Sequence, residues 1–178
     1  NALLARKEIQ INQAKDNGAT SLFMACQKDH EKVVNALLAR KEIQINQANN
    51  NGATPLTMAC QNGHAKVVNA LLAKKEIQIN QAKNDGATSL FMACQKGHAK
   101  VVNALLARKE IQINQAMNSG ATPLYIACQK DRVKVVNALL ARKEIQINQA
   151  KDNGVTPLYI ACQNDRVKVV NALLARKE

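Results

Sequence analysis

The 34 residues from Ile43 to Glu76 read IQINQANNNGATPLTMACQNGHAKVVNALLAKKE, and close copies of this unit recur along the chain. The string VVNALLA begins at Val33, Val67, Val101, Val135 and Val169, always 34 residues apart. A period between about 20 and 50 residues is typical of a solenoid, in which each unit buries its apolar face only against its neighbours. We therefore predict one continuous array over residues 1–178.

The array begins and ends within a unit. Residues 1–8 and 171–178 both read NALLARKE, which is the latter part of the longer string VVNALLARKE. Solenoids usually carry polar capping repeats at their ends, and neither terminal segment resembles one. We therefore expect about five repeats that form a window of a longer array.

Signals for a turn and two helices follow one another within the unit. Ile43–Asn46 alternates apolar and polar residues, which predicts an extended segment, and Asn51-Gly52 provides turn residues. Thr54 before Pro55 is typical of a helix N-cap followed by proline at the first helical position. The VVNALL string places an apolar stripe on a second helix. Each unit is thus predicted to form a β-turn finger and two short helices.

Tetratricopeptide arrays also repeat every 34 residues, but each of their units consists of two helices alone. The segment from Ile43 to Gly52 leaves too few residues for two such helices. The predicted fold class is an all-α solenoid with short β-turn fingers.

The helical part of the unit resembles a known family. TPLTMACQNGHAKVV at 54–68 and TPLYIACQ at 122–129 and 156–163 are similar to the ankyrin repeat, whose usual run is TPLHxAAxxGHxxVVxLLL. The resemblance covers essentially the whole chain. It implies a finger, an inner helix and an outer helix in each unit, stacked into a curved solenoid. It also implies protein–protein recognition without catalysis.

Two departures from the family pattern affect packing. The family's histidine is replaced here by Phe23, Thr57, Phe91, Tyr125 and Tyr159, so its usual hydrogen bonds are expected to be absent or replaced by aromatic packing. The glycine that ends the inner helix is kept at Gly63 and Gly97, whereas aspartate replaces it in the other units. Aspartate is tolerated in the left-handed conformation, so Asp29, Asp131 and Asp165 are expected to adopt it.

The five cysteines share one position of the unit: Cys26, Cys60, Cys94, Cys128 and Cys162. Neighbouring repeats are expected to pack about 8 to 10 Å apart, which is too far for a disulfide without backbone movement. We therefore expect five buried, free thiols in a reducing intracellular compartment, the cytoplasm. No stretch approaches the roughly 18 apolar residues that cross a bilayer, so no membrane insertion is expected.

His30, His64 and His98 occupy one position in three successive units. A zinc site needs ligands that converge on one ion, and stacked units hold these histidines apart. The cysteines have no histidine in constant register, so a nucleophile and its base are not expected. The sequence therefore predicts no metal, no cofactor, no small-molecule substrate and no enzymatic activity.

The formal net charge of +12 raises the possibility of nucleic-acid binding. Eleven of these charges belong to six triplets such as Arg108-Lys109-Glu110 and to the five lysines equivalent to Lys32, all on the outer helices or at their ends. Binding to single strands usually combines such charges with aromatic side chains, which make up only 2% of the chain. Nucleic acid therefore ranks below a protein as partner.

In the family, partners meet the finger tips and the exposed side of the inner helices. The resemblance assigns this role to three finger residues, a glutamine and the residue after it in each unit. They are Lys15, Asp16, Asn17, Gln27 and Lys28; Asn49, Asn50, Asn51, Gln61 and Asn62; Lys83, Asn84, Asp85, Gln95 and Lys96; Met117, Asn118, Ser119, Gln129 and Lys130; and Lys151, Asp152, Asn153, Gln163 and Asn164.

These finger tips lack the Trp, Tyr and Arg side chains that usually dominate binding energy. Two function classes therefore stay open. The first is a non-catalytic scaffold that binds an unidentified protein partner through finger tips and inner helices. The alternative is a structural or elastic spacer segment of a larger protein.

Overall fold

The computed structural model describes residues 9–176; residues 1–8, which are the first copy of the NALLARKE string, and residues 177–178, the last two of the second copy, lie outside the described part. The described part contains ten α-helices and one isolated antiparallel bridge, between Ala14 and Thr20. The prediction of an all-α solenoid is therefore confirmed.

The helices form five successive pairs, which we number repeats 1 to 5. The first helix of each pair is called inner and the second outer. The inner helices are α1 Ser21–Gln27, α3 Pro55–Asn62, α5 Ser89–Lys96, α7 Pro123–Gln129 and α9 Pro157–Gln163. The outer helices are α2 Glu31–Leu38, α4 Ala65–Leu72, α6 Ala99–Leu106, α8 Val133–Leu140 and α10 Val167–Leu174.

Each inner helix begins in the same way. The threonine before it has extended backbone angles, and its Oγ1 accepts a hydrogen bond from the backbone N–H three residues later, as Thr54 does from Thr57 at 3.1 Å. Proline follows the threonine in three repeats, where its missing N–H costs nothing. The N-cap predicted from the Thr-Pro pair is thereby confirmed.

The connection between inner and outer helix contains one residue in the left-handed conformation. Gly63 has φ of 78°, and in this backbone conformation a Cβ would lie 2.6 Å from the side-chain Nδ1 of His98 in the next repeat. Asp29, Asp131 and Asp165 adopt φ of 55° to 58°, as the sequence predicted. The chain thus accepts the strain of a left-handed aspartate at three of five connections.

The core runs continuously through the stack. Inner helices pack on neighbouring inner helices and outer helices on outer helices, with each pair also in mutual contact. Leu56, Leu90 and Leu124 from inner helices and Leu71 and Leu105 from outer helices are almost completely buried. Because these leucines occupy repeated positions, the same contacts are made at successive junctions.

The IQIN segment is not extended, so that prediction was wrong. The chain turns there, and the asparagine of each segment binds the backbone of the next repeat. Asn46 donates to the carbonyl of Glu76 at 2.7 Å and accepts from the N–H of Gln78 at 2.9 Å. Asn12, Asn80 and Asn114 make the same pair of bonds. These bonds use backbone groups that a strand would need for pairing, and they fix the spacing of the repeats instead.

Candidate functional site: the fingers and the central groove

The five fingers have one common backbone conformation. In each, the N–H of the first residue donates to the carbonyl of the residue four positions later, as from Lys83 to Ala87 at 3.0 Å. A glycine with positive φ occupies the fourth position in every finger. The predicted β-turn fingers are therefore present, and their tips are held in fixed positions along one side of the stack.

Three of the predicted partner-binding residues join neighbouring fingers. The backbone N–H of Asn84 donates to Asn51 at 3.1 Å, and its side-chain amide donates to the carbonyl of Asn50 at 3.0 Å. Asn50 and Asn118 make equivalent bonds to the fingers before them. Asp152 stands at this position in repeat 5, where its backbone N–H is 3.5 Å from the carbonyl of Ser119 and its side chain has no amide to donate. The amides of these three asparagines are therefore committed to stacking.

Other predicted residues stabilise their own finger or helix end. The side chains of Asn17, Asn49, Asp85 and Asn153 accept hydrogen bonds from backbone N–H groups two or four residues later. Asn62 donates to the carbonyl of Gln27 at 3.0 Å, and Asn164 donates to that of Ile160 at 3.0 Å. Among the predicted partner-binding residues, those that are exposed and have no side-chain hydrogen bond or ion pair within residues 9–176 are Lys15, Asp16, Lys28, Asn51, Lys96, Ser119, Lys130, Asp152 and Gln163.

The histidines and their replacements also link repeats. Nε2 of His64 donates to the carbonyl of Gln27 at 3.1 Å, and Nε2 of His98 donates to that of Gln61 at 3.0 Å. Arg132 continues the row, because its Nε donates to the carbonyl of Gln95 at 3.2 Å. Within the described residues no group of three or more His, Cys, Asp or Glu side chains could hold a metal ion.

A shallow groove of about 280 Å³ lies between the fingers and inner helices of repeats 3 to 5. We call it the central groove. Its apolar lining comes mainly from Phe91, Met92, Met117, Tyr125 and Ile126. Its polar lining comprises Lys83, Asp85, Gln95, Ser119, Gln129 and Lys151.

Charged side chains are ordered at the rim of the central groove. Nζ of Lys83 lies 3.0 Å from Oδ2 of Asp85, and Nζ of Lys151 lies 5.6 Å from the centroid of the Tyr125 ring. Desolvation raises the pKa of the Tyr125 hydroxyl, and the backbone N–H of Ala87 and the Lys83 ammonium outweigh desolvation to lower the pKa of the Asp85 carboxyl. Apolar floor and charged rim together can hold a polypeptide segment that carries both kinds of side chain.

Sequence reasoning missed several residues of the central groove. Met92, Ile126 and Tyr125 lie on the inner helices and were not among the predicted partner-binding residues. Phe91 and Tyr125 are only 3% and 5% exposed, so the aromatic packing expected at the family's histidine position is confirmed there. Tyr159 differs, because 57% of its surface is exposed.

The outer helices present a different surface. Arg108 and Arg142 each pair with the glutamate two residues later, at 2.6 and 2.7 Å, and Arg40 does the same with Glu42 at 2.7 Å. Glu42, Glu110 and Glu144 have lowered pKa values because their own backbone N–H groups and the arginine side chains donate hydrogen bonds to them. These ion pairs thus neutralise part of the excess positive charge at the ends of the outer helices.

The exposure of each cysteine thiol depends on whether its repeat is covered by a neighbouring repeat. Cys26, Cys60, Cys94 and Cys128 are buried and free, and desolvation raises the pKa of Cys26 and of Cys128 to about 12. Cys162 is exposed, so the prediction of five buried thiols was wrong at this position. The reason is that no described residue packs on the side of repeat 5 that corresponds to the buried side of repeat 4.

A stack of units, each with a finger, an inner helix and an outer helix, defines an all-α repeat solenoid. The sequence matches the family described as "Ankyrin repeats (3 copies)" over residues 1–83, 41–117, 75–151 and 113–178. The chain therefore belongs to the ankyrin repeat family, whose members generally act as protein–protein interaction modules. No curated protein sequence matches the chain significantly. None of the helices in the described part has the length and apolar character needed to span a membrane.

Proposed function

We propose that this array is a non-catalytic scaffold that binds an extended segment of a protein partner in the central groove. The observation that carries the proposal is the partly exposed Met117 beside a charged rim, over a largely buried floor of Met92, Tyr125 and Ile126. Aromatic and methionine side chains are enriched at the centres of protein interfaces, where they are surrounded by polar groups. The partner segment should therefore contribute apolar side chains to the groove and charged groups to Lys83, Asp85 and Lys151.

Under this proposal, the residues that the sequence assigned to partner binding fall into two groups, one that affects stability and one that affects affinity. The side-chain amides of Asn50, Asn84 and Asn118 are engaged between fingers, so changes there should act through stability. Met117, Ser119 and Lys151 line the groove and should act through affinity. The exposed lysines Lys28, Lys96 and Lys130 form a polar margin at the ends of the inner helices.

A selection from a displayed peptide library tests the proposal. The chain itself provides substitutions that other repeats already accept: Met117→Lys, because lysine stands there in repeats 1, 3 and 5, and Tyr125→Thr, because threonine stands there in repeat 2. Met117→Lys should weaken a selected peptide about tenfold or more, since loss of a central anchor usually costs more than about 1.4 kcal/mol. Tyr125→Thr changes a floor residue that is only 5% exposed, so it should weaken the peptide less than Met117→Lys does. The matched control, Lys109→Ala with Lys143→Ala on the outer surface, should leave affinity within about twofold.

Two outcomes favour the other candidate functions. Failure to select any peptide, with the array folded, would support a spacer, which the hydrogen-bonded finger asparagines also favour. Tight binding to an oligonucleotide at about 150 mM salt, lost in the outer-surface control, would support nucleic-acid contact through the basic triplets at the ends of the outer helices. We place the array in a reducing intracellular setting, the cytoplasm, because its cysteines are free.

A further inference from the structure

The junction between α2 and α4 lacks a contact that the next two junctions between outer helices have. At the end of α6, Arg108 donates to the carbonyl of Leu72, the last residue of α4, while its Nε and Nη2 bind Oε1 of Glu110. Arg142 makes the same three bonds to the carbonyl of Leu106 and to Glu144. A planar guanidinium with five N–H donors suits this set of acceptors.

Lys74 occupies the corresponding position in repeat 2. An ammonium cannot span a helix-end carbonyl and a carboxylate in the same plane, because its three donors radiate from a single atom. Within residues 9–176, no hydrogen-bond donor reaches the carbonyl of Leu38 and no cation pairs with the Glu76 side chain. The acceptors of the arginine site are therefore present without a donor.

A cavity of about 230 Å³ lies at this place, and Leu38, Arg40, Lys41, Lys74 and Glu76 are among the residues that line it. We propose that this cavity binds an alkylguanidinium, as presented by the arginine side chain of another polypeptide. The ligand would donate to the carbonyl of Leu38 and, through a second edge, to the carboxylate of Glu76.

The positive charges around the cavity do not exclude such a ligand. The guanidinium of Arg142 occupies the equivalent place in repeat 4, where Arg108 and Lys109 stand in the positions of Arg40 and Lys41. The one additional charge is that of Lys74 itself. Lys74→Met should therefore bind the ligand more tightly than the parent chain.

Titration of the full chain with methylguanidinium, followed by amide NMR at constant ionic strength, tests the proposal. Saturable shifts should be confined to the surroundings of Leu38, Lys74 and Glu76, with a dissociation constant on the order of millimolar for so small a ligand. Methylammonium, which has the same charge but no planar fork, should give no saturable shift. Equal responses to both ions would overturn the proposal.

Variants give each prediction a matched control. Lys74→Arg should fill the cavity and abolish binding, Glu76→Gln should weaken it severalfold, and Arg108→Lys should create a second site beside Leu72 and Glu110. Undiminished binding to Lys74→Arg, or no second site in Arg108→Lys, would contradict the assignment.

Competition with peptides tests whether the ligand can be part of a polypeptide. The peptide Gly-Arg-Gly should compete with methylguanidinium and Gly-Lys-Gly should not. If the site accepts only the free ion, the proposal that it binds an arginine of another polypeptide is overturned.

Discussion

Helices α8 and α10 have the same sequence, VKVVNALL, at Val133–Leu140 and Val167–Leu174. An arginine precedes both, and equivalent backbone hydrogen bonds form in both, such as those from Val136 to Arg132 and from Val170 to Arg166 at 2.9 Å. Their burial differs greatly. Leu140 is 7% exposed, whereas Leu174 is 67% exposed.

This difference shows that burial is a property of the junction and not of the unit. Helix α8 packs between α6 and α10. Helix α10 packs on α8, and no described residue packs on its other side. The inner helices agree, because Cys128 is buried in α7 while Cys162 is exposed in α9. Stability in such an array is the sum of weak single units and strong interfaces between them.

The largest expected effect is on core leucines. Leu140→Ala should lower the free energy of unfolding by about 2 to 5 kcal/mol, because it leaves a cavity at a junction. Leu174→Ala should cost less than about 1 kcal/mol, since most of that side chain is already in water. Urea unfolding of both variants measures the difference, and equal losses would contradict the junction account.

Thiol labelling gives the next largest effect. Cys162 should react at once with a thiol reagent, whereas Cys128 requires local opening and has its pKa raised to about 12. An opening free energy of about 3 kcal/mol alone slows labelling by about a hundredfold. One fast and four slow thiols are expected, and Cys162→Ala should remove the fast phase. Five slow thiols would show that repeat 5 is covered.

The asparagine bridges should have a smaller effect. Asn114→Ala removes one bond to the carbonyl of Glu144 and one from the N–H of Gln146, so it should cost about 1 to 2 kcal/mol. Asn148 has the same position in the next unit, and its side chain makes no hydrogen bond within residues 9–176. Asn148→Ala should change stability by less than about 0.5 kcal/mol in the same unfolding assay. A comparable loss of unfolding free energy in both variants would show that the asparagine hydrogen bonds do not stabilise the stack.

The smallest effect concerns acid stability. The pKa of Glu110 is lowered in the folded state, so its carboxylate stabilises the fold above the unfolded value of about 4.3, and this contribution is lost as pH falls through the lower folded value. Glu110→Gln should therefore reduce the Tm slightly at pH 7, and the difference from the parent should vanish near pH 3. A difference that persists at low pH would show that packing, not charge, is responsible.

Signals within one unit predicted one unit's structure well. The Thr-Pro pair located the inner helices, the Asn-Gly turn located the fingers, and the VVNALL stripe located the outer helices. The aspartates at Asp29, Asp131 and Asp165 were also placed correctly in the left-handed region. Each of these features depends on backbone preferences and on residues close in sequence.

Features that depend on the next repeat were not predicted. Asn46 reads as part of an alternating strand until its bonds to Glu76 and Gln78 are known, and Asn84 reads as a free finger residue until its bond to Asn50 is known. The central groove was not predicted for the same reason, because Met92 and Tyr125 line a common groove with Met117 only after the repeats have stacked. A single unit contains no local signal for such contacts.

Amide hydrogen exchange at Val136 and Val170 tests the central claim most directly. Both amides lie in the same local sequence, RVKVVNALLA, so their intrinsic exchange rates are equal, and both donate to an arginine carbonyl at 2.9 Å. If junctions determine stability, Val136 should exchange at least about a hundredfold more slowly than Val170, corresponding to about 3 kcal/mol of additional opening free energy. Equal protection at the two amides would show that each helix is stable by itself and would contradict the account.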